Sequence, residues 1–123
     1  MPFTHPEQLH DAFVEAFSSG KPDALIDLYE PEALQVGQSG QLTRGHDGLR
    51  SVFTELLVAG ITMHGVQDKA LVNGDLALTS TRYEVDTTDP DGVQRMTLVR
   101  TAEVSRRQPD GSWRVVIDAP GFD

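Results

Sequence analysis

Apolar and polar residues alternate with two different periods along this chain, and the change of period divides it. Up to about residue 60 the apolar positions recur at helical spacing. Leu9, Phe13 and Phe17, with Ala12 and Ala16 from the neighbouring row, make one stripe. Thr4 can cap that helix, with Glu7 as its capping-box partner, Pro6 in its first turn and Gly20 at its end. A short second helix fits Pro22 to Tyr29, burying Leu25, Leu28 and Tyr29, and Pro31 stops it. Ala33 to Val36 reads as a short strand, and Gly37 to Gly45 as a glycine-rich loop or tight hairpin. A third helix fits His46 to Val58, with Leu49, Val52, Phe53, Leu56 and Leu57 inward.

From Ile61 the period becomes two. Ile61 to Val66 is a strand, and Ala70-Leu71-Val72 runs into Asn73-Gly74-Asp75, a hairpin turn. Leu76 to Val85 alternates at length, and Asp89-Pro90-Asp91-Gly92 turns the chain again. The last unit is a hairpin from about Met96 to Pro120, folded at Gln108-Pro109-Asp110-Gly111-Ser112. Helices first and a meandering antiparallel sheet after them predict an α+β fold, with the helices on one sheet face. Neither repeat nor linker interrupts the 123 residues, so one domain spanning 1–123 is expected.

That last hairpin carries the candidate chemistry. Glu103 and Asp118 stand where the alternation demands half-buried residues, and a carboxylate facing a core must find a partner or hold its proton. Two registers are open. A four-residue loop pairs Arg107 with Ser112, sets Glu103 beside Val116 and Thr101 beside Asp118, and puts both acids on one face. A three-residue loop with a glycine bulge pairs Gln108 with Ser112, sets Asp118 opposite Ala102, and turns Glu103 to the other face.

Composition removes several alternatives. A net charge of −9 leaves too few clustered cations for nucleic acid or an anionic membrane. No stretch approaches a membrane span, and the first residues lack the basic head and apolar run of a signal peptide. The absence of cysteine excludes thiolate chemistry and suits the cytoplasm. Histidines 5, 10, 46 and 64 show no metal-ligand spacing, so no metal and no cofactor is expected. Leu98, Ala102, Val104, Val115 and Ile117 offer more apolar strand surface than one interior needs, which predicts a homodimer through the outer sheet face.

The stretch Leu28-Tyr29-Glu30-Pro31-Glu32-Ala33, the Gly40–Gly45 segment, the Leu49–Leu57 helix and Asp110-Gly111-Ser112-Trp113-Arg114-Val115-Val116-Ile117-Asp118 together resemble the nuclear-transport-factor-2-like superfamily. The likeness is to its bacterial SnoaL-like and ketosteroid-isomerase-like members and covers nearly the whole chain. It implies a cone: a curved antiparallel sheet wrapped around three N-terminal helices. It also implies a pocket for a small, largely apolar organic molecule, worked by acid/base chemistry of the isomerase, cyclase or dehydratase type. The alternative is a non-catalytic ligand-binding or dimerisation module on the same fold.

By that resemblance Glu103 takes the place of the oxyanion-hole acid, Asp118 serves as base or orienter, and Tyr29 and Tyr83 as donors. Phe17, Phe53, Met63, Thr101 and Val116 are the expected pocket lining. The sequence departs from the steroid isomerases at the base, which falls on about Gly37. Glycine cannot abstract a proton, nor can Gln35 or Gln38 beside it. Epoxide hydrolases of this fold would need Arg100, Glu103 and Asp118 together, but Arg100 and Glu103 lie three apart on a strand and face opposite ways. Trp113 is expected to be a packing residue.

Overall fold

The computed structural model describes residues 3–37 and 40–120. Gln38, Ser39 and Gly121 therefore lie outside the described residues, and with them part of the predicted glycine-rich loop. A 3-10 turn, Pro6–Gln8, leads into α1, Leu9–Ser18. Gln8, not Glu7, closes the start: its side-chain oxygen accepts the Thr4 hydroxyl at 3.0 Å and the amides of Thr4 and His5 at 3.2 Å. α2, Pro22–Ile26, is shorter than its apolar spacing predicts. The chain leaves helical geometry because sheet pairing takes over: Leu28 offers its carbonyl to the Val115 amide at 2.8 Å, and Tyr29 opens β1, Tyr29–Val36. β2, Leu42–Arg44, precedes α3, Gly45–Val58.

The sheet is completed by β3, Thr62–Asn73, β4, Leu76–Thr88, β5, Gln94–Arg107, and β6, Trp113–Pro120. Its six strands run in the order β2-β1-β6-β5-β4-β3. Every neighbouring pair is antiparallel except β1 with β6, which run parallel. The two segments predicted around residue 68 form the single strand β3, whose register shifts between Gln67 and Lys69. The helices cover one face of the curved sheet. Leu9, Ala16, Phe17, Leu25, Leu28, Leu49, Phe53, Trp113 and Val115 form the core there. Trp113 is a packing residue, as its sequence context predicts, and its amide donates to the Phe3 carbonyl at 2.7 Å.

The β5–β6 hairpin follows neither predicted register throughout. Near the turn it takes the second: the Gln108 amide bonds to the Ser112 carbonyl, and Arg107 faces Trp113. Between Ser105↔Val115 and Val104↔Ile117 the register slips by one residue, leaving Val116 as a β-bulge. The slip reverses the facing of everything beyond it. Asp118, which the turn alone would send outward, turns inward and sits directly opposite Glu103. Two finer expectations fail as a result: Glu103 faces Asp118 rather than Val116, and Thr101 faces Pro120 rather than Asp118. Val115 is also corrected; it lies in the core, not on the outer face.

Candidate functional site

The inner face of the sheet, against the helices, is where apolar residues belong. One row across it is polar instead. Strand registers align Thr79, Glu103, Asp118 and Gln35 as successive neighbours on β4, β5, β6 and β1. All four are buried, with Glu103 only 8% and Asp118 only 7% exposed. Directly opposed strand positions place their side chains about 5 Å apart. Two carboxyls so close in a dry interior cannot both ionise cheaply.

Each acid has its own donors. The Tyr29 hydroxyl donates to Asp118 Oδ2 at 2.6 Å, and the Gln35 side chain also hydrogen-bonds this carboxyl. The Thr79 hydroxyl donates to Glu103 Oε1 at 2.9 Å, with Thr101 within reach of the same group. Burial pushes the Glu103 carboxyl up to about 7, reinforced by the Asp118 charge and opposed by the threonine hydroxyls. Burial raises Asp118 as well, while Tyr29 and Gln35 pull it back towards the anion. The phenols of Tyr29 and Tyr83 are raised by burial and by the two acids, so both remain donors at any ordinary pH.

Aromatic side chains stand over this polar row. Tyr29 packs on Phe53 at 5.5 Å between ring centroids, and Phe13 bridges Phe53, Phe17 and Tyr83 at 6.2, 6.2 and 6.4 Å. Beyond Tyr83 lies His10, 5.6 Å away, its Nδ1 3.0 Å from Asp11. Both rings sit on bare backbone: a Cβ at Gly65 would lie 2.6 Å from Tyr83 Cδ1 and 2.9 Å from His10 Nε2.

The sequence-predicted residues thus divide. Glu103, Asp118 and Tyr29 come together, with Tyr83 buried nearby and Thr101 on the same face. Phe17 and Phe53 belong to the core that caps the site, and Met63 packs half-buried against that core. Val116 is the half-buried bulge residue and does not face Glu103. Arg100 is on the opposite face, across from Arg82. Arg106 and Arg107 pair with Glu30 and Asp75, leaving Glu103 to its threonines. Thr79, Phe13 and His10 were not singled out from sequence as site residues, and Gln35 only as a side chain unable to act as base; for Thr79 and Gln35 the available signal was their alternation with Ala77, Thr81 and Tyr83, or with Ala33, and for Phe13 its place in the apolar stripe of α1. His46 reaches the Tyr29 carbonyl at 2.9 Å and His64 stays exposed beside Asp86. Among the described residues no group of His, Asp or Glu side chains is arranged to hold a metal.

Two clefts among the described residues leave the acids out of their lining. One of about 710 Å³ lies along β3, β4 and β5 by His64, Arg82, Glu84, Leu98 and Arg100, and the predicted pocket residue Tyr83 is part of its lining. The other, about 450 Å³, lies between α1 and Phe3, Ala24 and Leu28. The acids are enclosed on the concave side rather than solvated on the convex one.

The SnoaL-like domain family matches residues 10–116, a span that holds most of α1, most of the sheet and Glu103 and ends two residues before Asp118. The chain belongs to the SnoaL-like domain family. No curated protein matches it in sequence. Among solved structures, this SnoaL-like chain superposes on a ketosteroid isomerase-like protein from Erwinia carotovora atroseptica with a TM-score of 0.82. That pair shares 19% identity over 94% of this chain and 91% of the other. A provisionally named dehydratase of the nuclear-transport-factor-2-like family from Streptomyces avermitilis gives 0.76 at 19% identity, covering 90% and 88%. A protein provisionally named as a calcium/calmodulin-dependent protein kinase type II association domain, from Thiobacillus denitrificans, gives 0.80 at 16% identity over 100% and 99%. At these identities the likeness establishes the cone fold, which this SnoaL-like chain shares. Among its described residues no helix is long and apolar enough to cross a membrane.

Proposed function

We propose that the chain is one catalytic domain performing acid/base chemistry on a small, largely apolar organic molecule carrying a carbonyl or hydroxyl oxygen. The observation that carries this reading is the opposed Glu103–Asp118 pair, buried on the concave face with the Tyr29 hydroxyl bound to one member. The unequal donors divide the labour. Asp118, held by Tyr29 and Gln35, is the anion and acts as base; Glu103 keeps the shared proton near neutral pH and acts as acid.

With a ketone in place, Asp118 takes the proton from the carbon beside the carbonyl. Glu103 gives its proton to the developing oxyanion, and an enol results. Return of the proton to the same or a conjugated carbon, with Glu103 recovering its own, completes an exchange or an isomerisation. Every proton step uses a protein group. The base is thus supplied from the last strand, not from the region of Gly37. The names of the Erwinia and Streptomyces neighbours are in keeping with this chemistry. For a ligand to reach the acids the rings over them must part, and half-buried Phe13 is the ring with the least to lose.

The test is hydrogen–deuterium exchange in D2O of cyclic and aryl ketones, read by mass spectrometry. Wild-type protein should accelerate exchange, and Asp118→Asn should abolish the acceleration. No exchange with any ketone, together with ligand-induced stabilisation that survives Asp118→Asn, favours the second reading. That reading is a non-catalytic binding or association module, favoured by the exclusion of both acids from the two clefts and by the name of the Thiobacillus neighbour.

A further inference from the structure

One buried polar group takes no part in the hydrogen bonding of the resting site. Ser105 is completely buried, and its hydroxyl has no hydrogen-bond partner among the described residues. It stands on β5 two residues beyond Glu103, and strand alternation puts both side chains on the concave face. Its neighbours across the strands, Ala77 and Val115, offer it no polar side chain. An unpaired buried hydroxyl destabilises a fold, and alanine would fill the same place without that cost. Such a group needs a partner that the resting arrangement does not supply.

We propose that Ser105 is a positioning residue for Glu103: its hydroxyl becomes a donor to the Glu103 carboxylate once that group has given up its proton. The first support is reach. The pairing of β4 with β5 is unbroken from Gln94 to Arg106, so Glu103 and Ser105 keep the regular spacing of about 7 Å along one strand face. A glutamate side chain lying along the face closes that gap to the hydrogen-bond distance of a hydroxyl, about 2.7 Å. The second is the acid's own demand. At rest Thr79 donates to Oε1 at 2.9 Å with Thr101 close by, which suits a carboxyl that keeps its proton. An ionised carboxylate has about four acceptor sites, and its second oxygen then needs a donor.

The third is charge. The titratable groups that interact with Glu103 are Asp118 on β6, Tyr29 on β1 and Tyr83 on β4, and none is a cation. From the helices, α1 and α3 set the rings of Phe13, Phe17 and Phe53 over the row. The anion therefore depends on hydroxyls, and Ser105 is the one on this face with its donor unused. When Asp118 takes a proton from carbon it becomes neutral, and when Glu103 protonates the oxyanion it becomes the anion. The negative charge has then moved from β6 to β5. Tyr29 and Gln35 serve Asp118 before the transfer, and Ser105 serves Glu103 after it. This catalytic part rests on the acid/base reading above.

The test is carbon-13 NMR titration of Glu103 in wild type and Ser105→Ala, with urea unfolding of both at pH 5 and ketone exchange measured alongside. Wild-type Glu103 should titrate at about 7, and Ser105→Ala should raise it to about 8 or higher, the tenfold preference for the anion that one charge-assisted hydrogen bond supplies. Ser105→Cys, which keeps a weak donor, should titrate in between. At pH 5, where Glu103 holds its proton, Ser105→Ala should be at least as stable as wild type, because no bond is lost. Exchange should fall about tenfold in kcat with KM unchanged. Glu103 titrating alike in wild type and Ser105→Ala overturns the proposal. So does a Ser105→Ala protein less stable than wild type at pH 5, since the hydroxyl would then be bonded at rest. Absence of ketone exchange in the wild type overturns the acid/base reading instead, and the titration still decides the role of Ser105.

Discussion

Replacing Glu103 by Gln keeps the shape of a buried side chain and removes its titration. In the folded protein this carboxyl holds its proton to about 7, against an ordinary value of 4.5. The sign follows directly. Between those two values the folded state binds more protons than the unfolded state, so stability falls as pH rises through the window. At about 1.4 kcal/mol for each tenfold change in proton activity, full ionisation costs the native state about 3 kcal/mol. The group is well buried, so solvent screening does little to reduce this. Below about pH 4.5 the cost is absent; above about pH 7 it is complete. Raised Asp118 contributes in the same direction. Glu103→Gln should therefore match wild type to within about 1 kcal/mol near pH 5, where the amide still accepts the Thr79 hydroxyl. At pH 8 it should be more stable by about 2–3 kcal/mol, or roughly 10 °C in Tm for a domain of this size. Urea unfolding of both proteins at pH 5, 6, 7 and 8 measures the difference. A difference that stays constant over this range, or a variant less stable than wild type at pH 8, would refute the argument that Glu103 is a buried, proton-holding acid.

Other consequences are as direct. Tyr29→Phe removes the 2.6 Å bond to Asp118 and should cost about 1–3 kcal/mol at neutral pH, measured by urea unfolding. It should also push the Asp118 titration upward, because the loss of a donor disfavours the anion. Gly65→Ala drives a methyl to within 2.9 Å of the Arg82 carbonyl as well as into Tyr83 and His10, so a Tm drop of several degrees is expected. Adding Tyr83→Ala should recover part of that drop, and no recovery would mean the backbone contact dominates. Phe13→Ala should open a path to the acids at a cost of about 3 kcal/mol, and should speed ketone exchange if access limits it.

The sequence made the cone legible because its two hydrophobic periods are clean and its turns are marked by Asn-Gly, Pro-Asp-Gly and single glycines at helix ends. It located the two acids for the same reason: each breaks a strand alternation. What it could not carry was the bulge at Val116. The turn chemistry points to a register that would separate Glu103 from Asp118, and only the full β5–β6 pairing shows the slip between Val104 and Ser105 that reunites them. Tyr29 illustrates the same limit. Its spacing from Leu25 and Leu28 fits a helix, but the parallel contact with Val115 makes it the first residue of a strand. Thr79 escaped notice, and Gln35 was read only as a side chain unable to act as base, because polar residues in strands read as solvent-facing and burial is a property of the assembled sheet.

The central claim is that Glu103 and Asp118 form one buried pair that shares a proton near neutrality. Carbon-13 NMR titration of the side-chain carboxyls, in wild type and in Glu103→Gln, addresses it most directly. One Glu carboxyl should titrate at about 7 with a small coupled step on one Asp signal, and both features should vanish or move in the variant. Every Glu carboxyl titrating in the ordinary range near 4.5, with Asp118 unaffected by the change at Glu103, would contradict it.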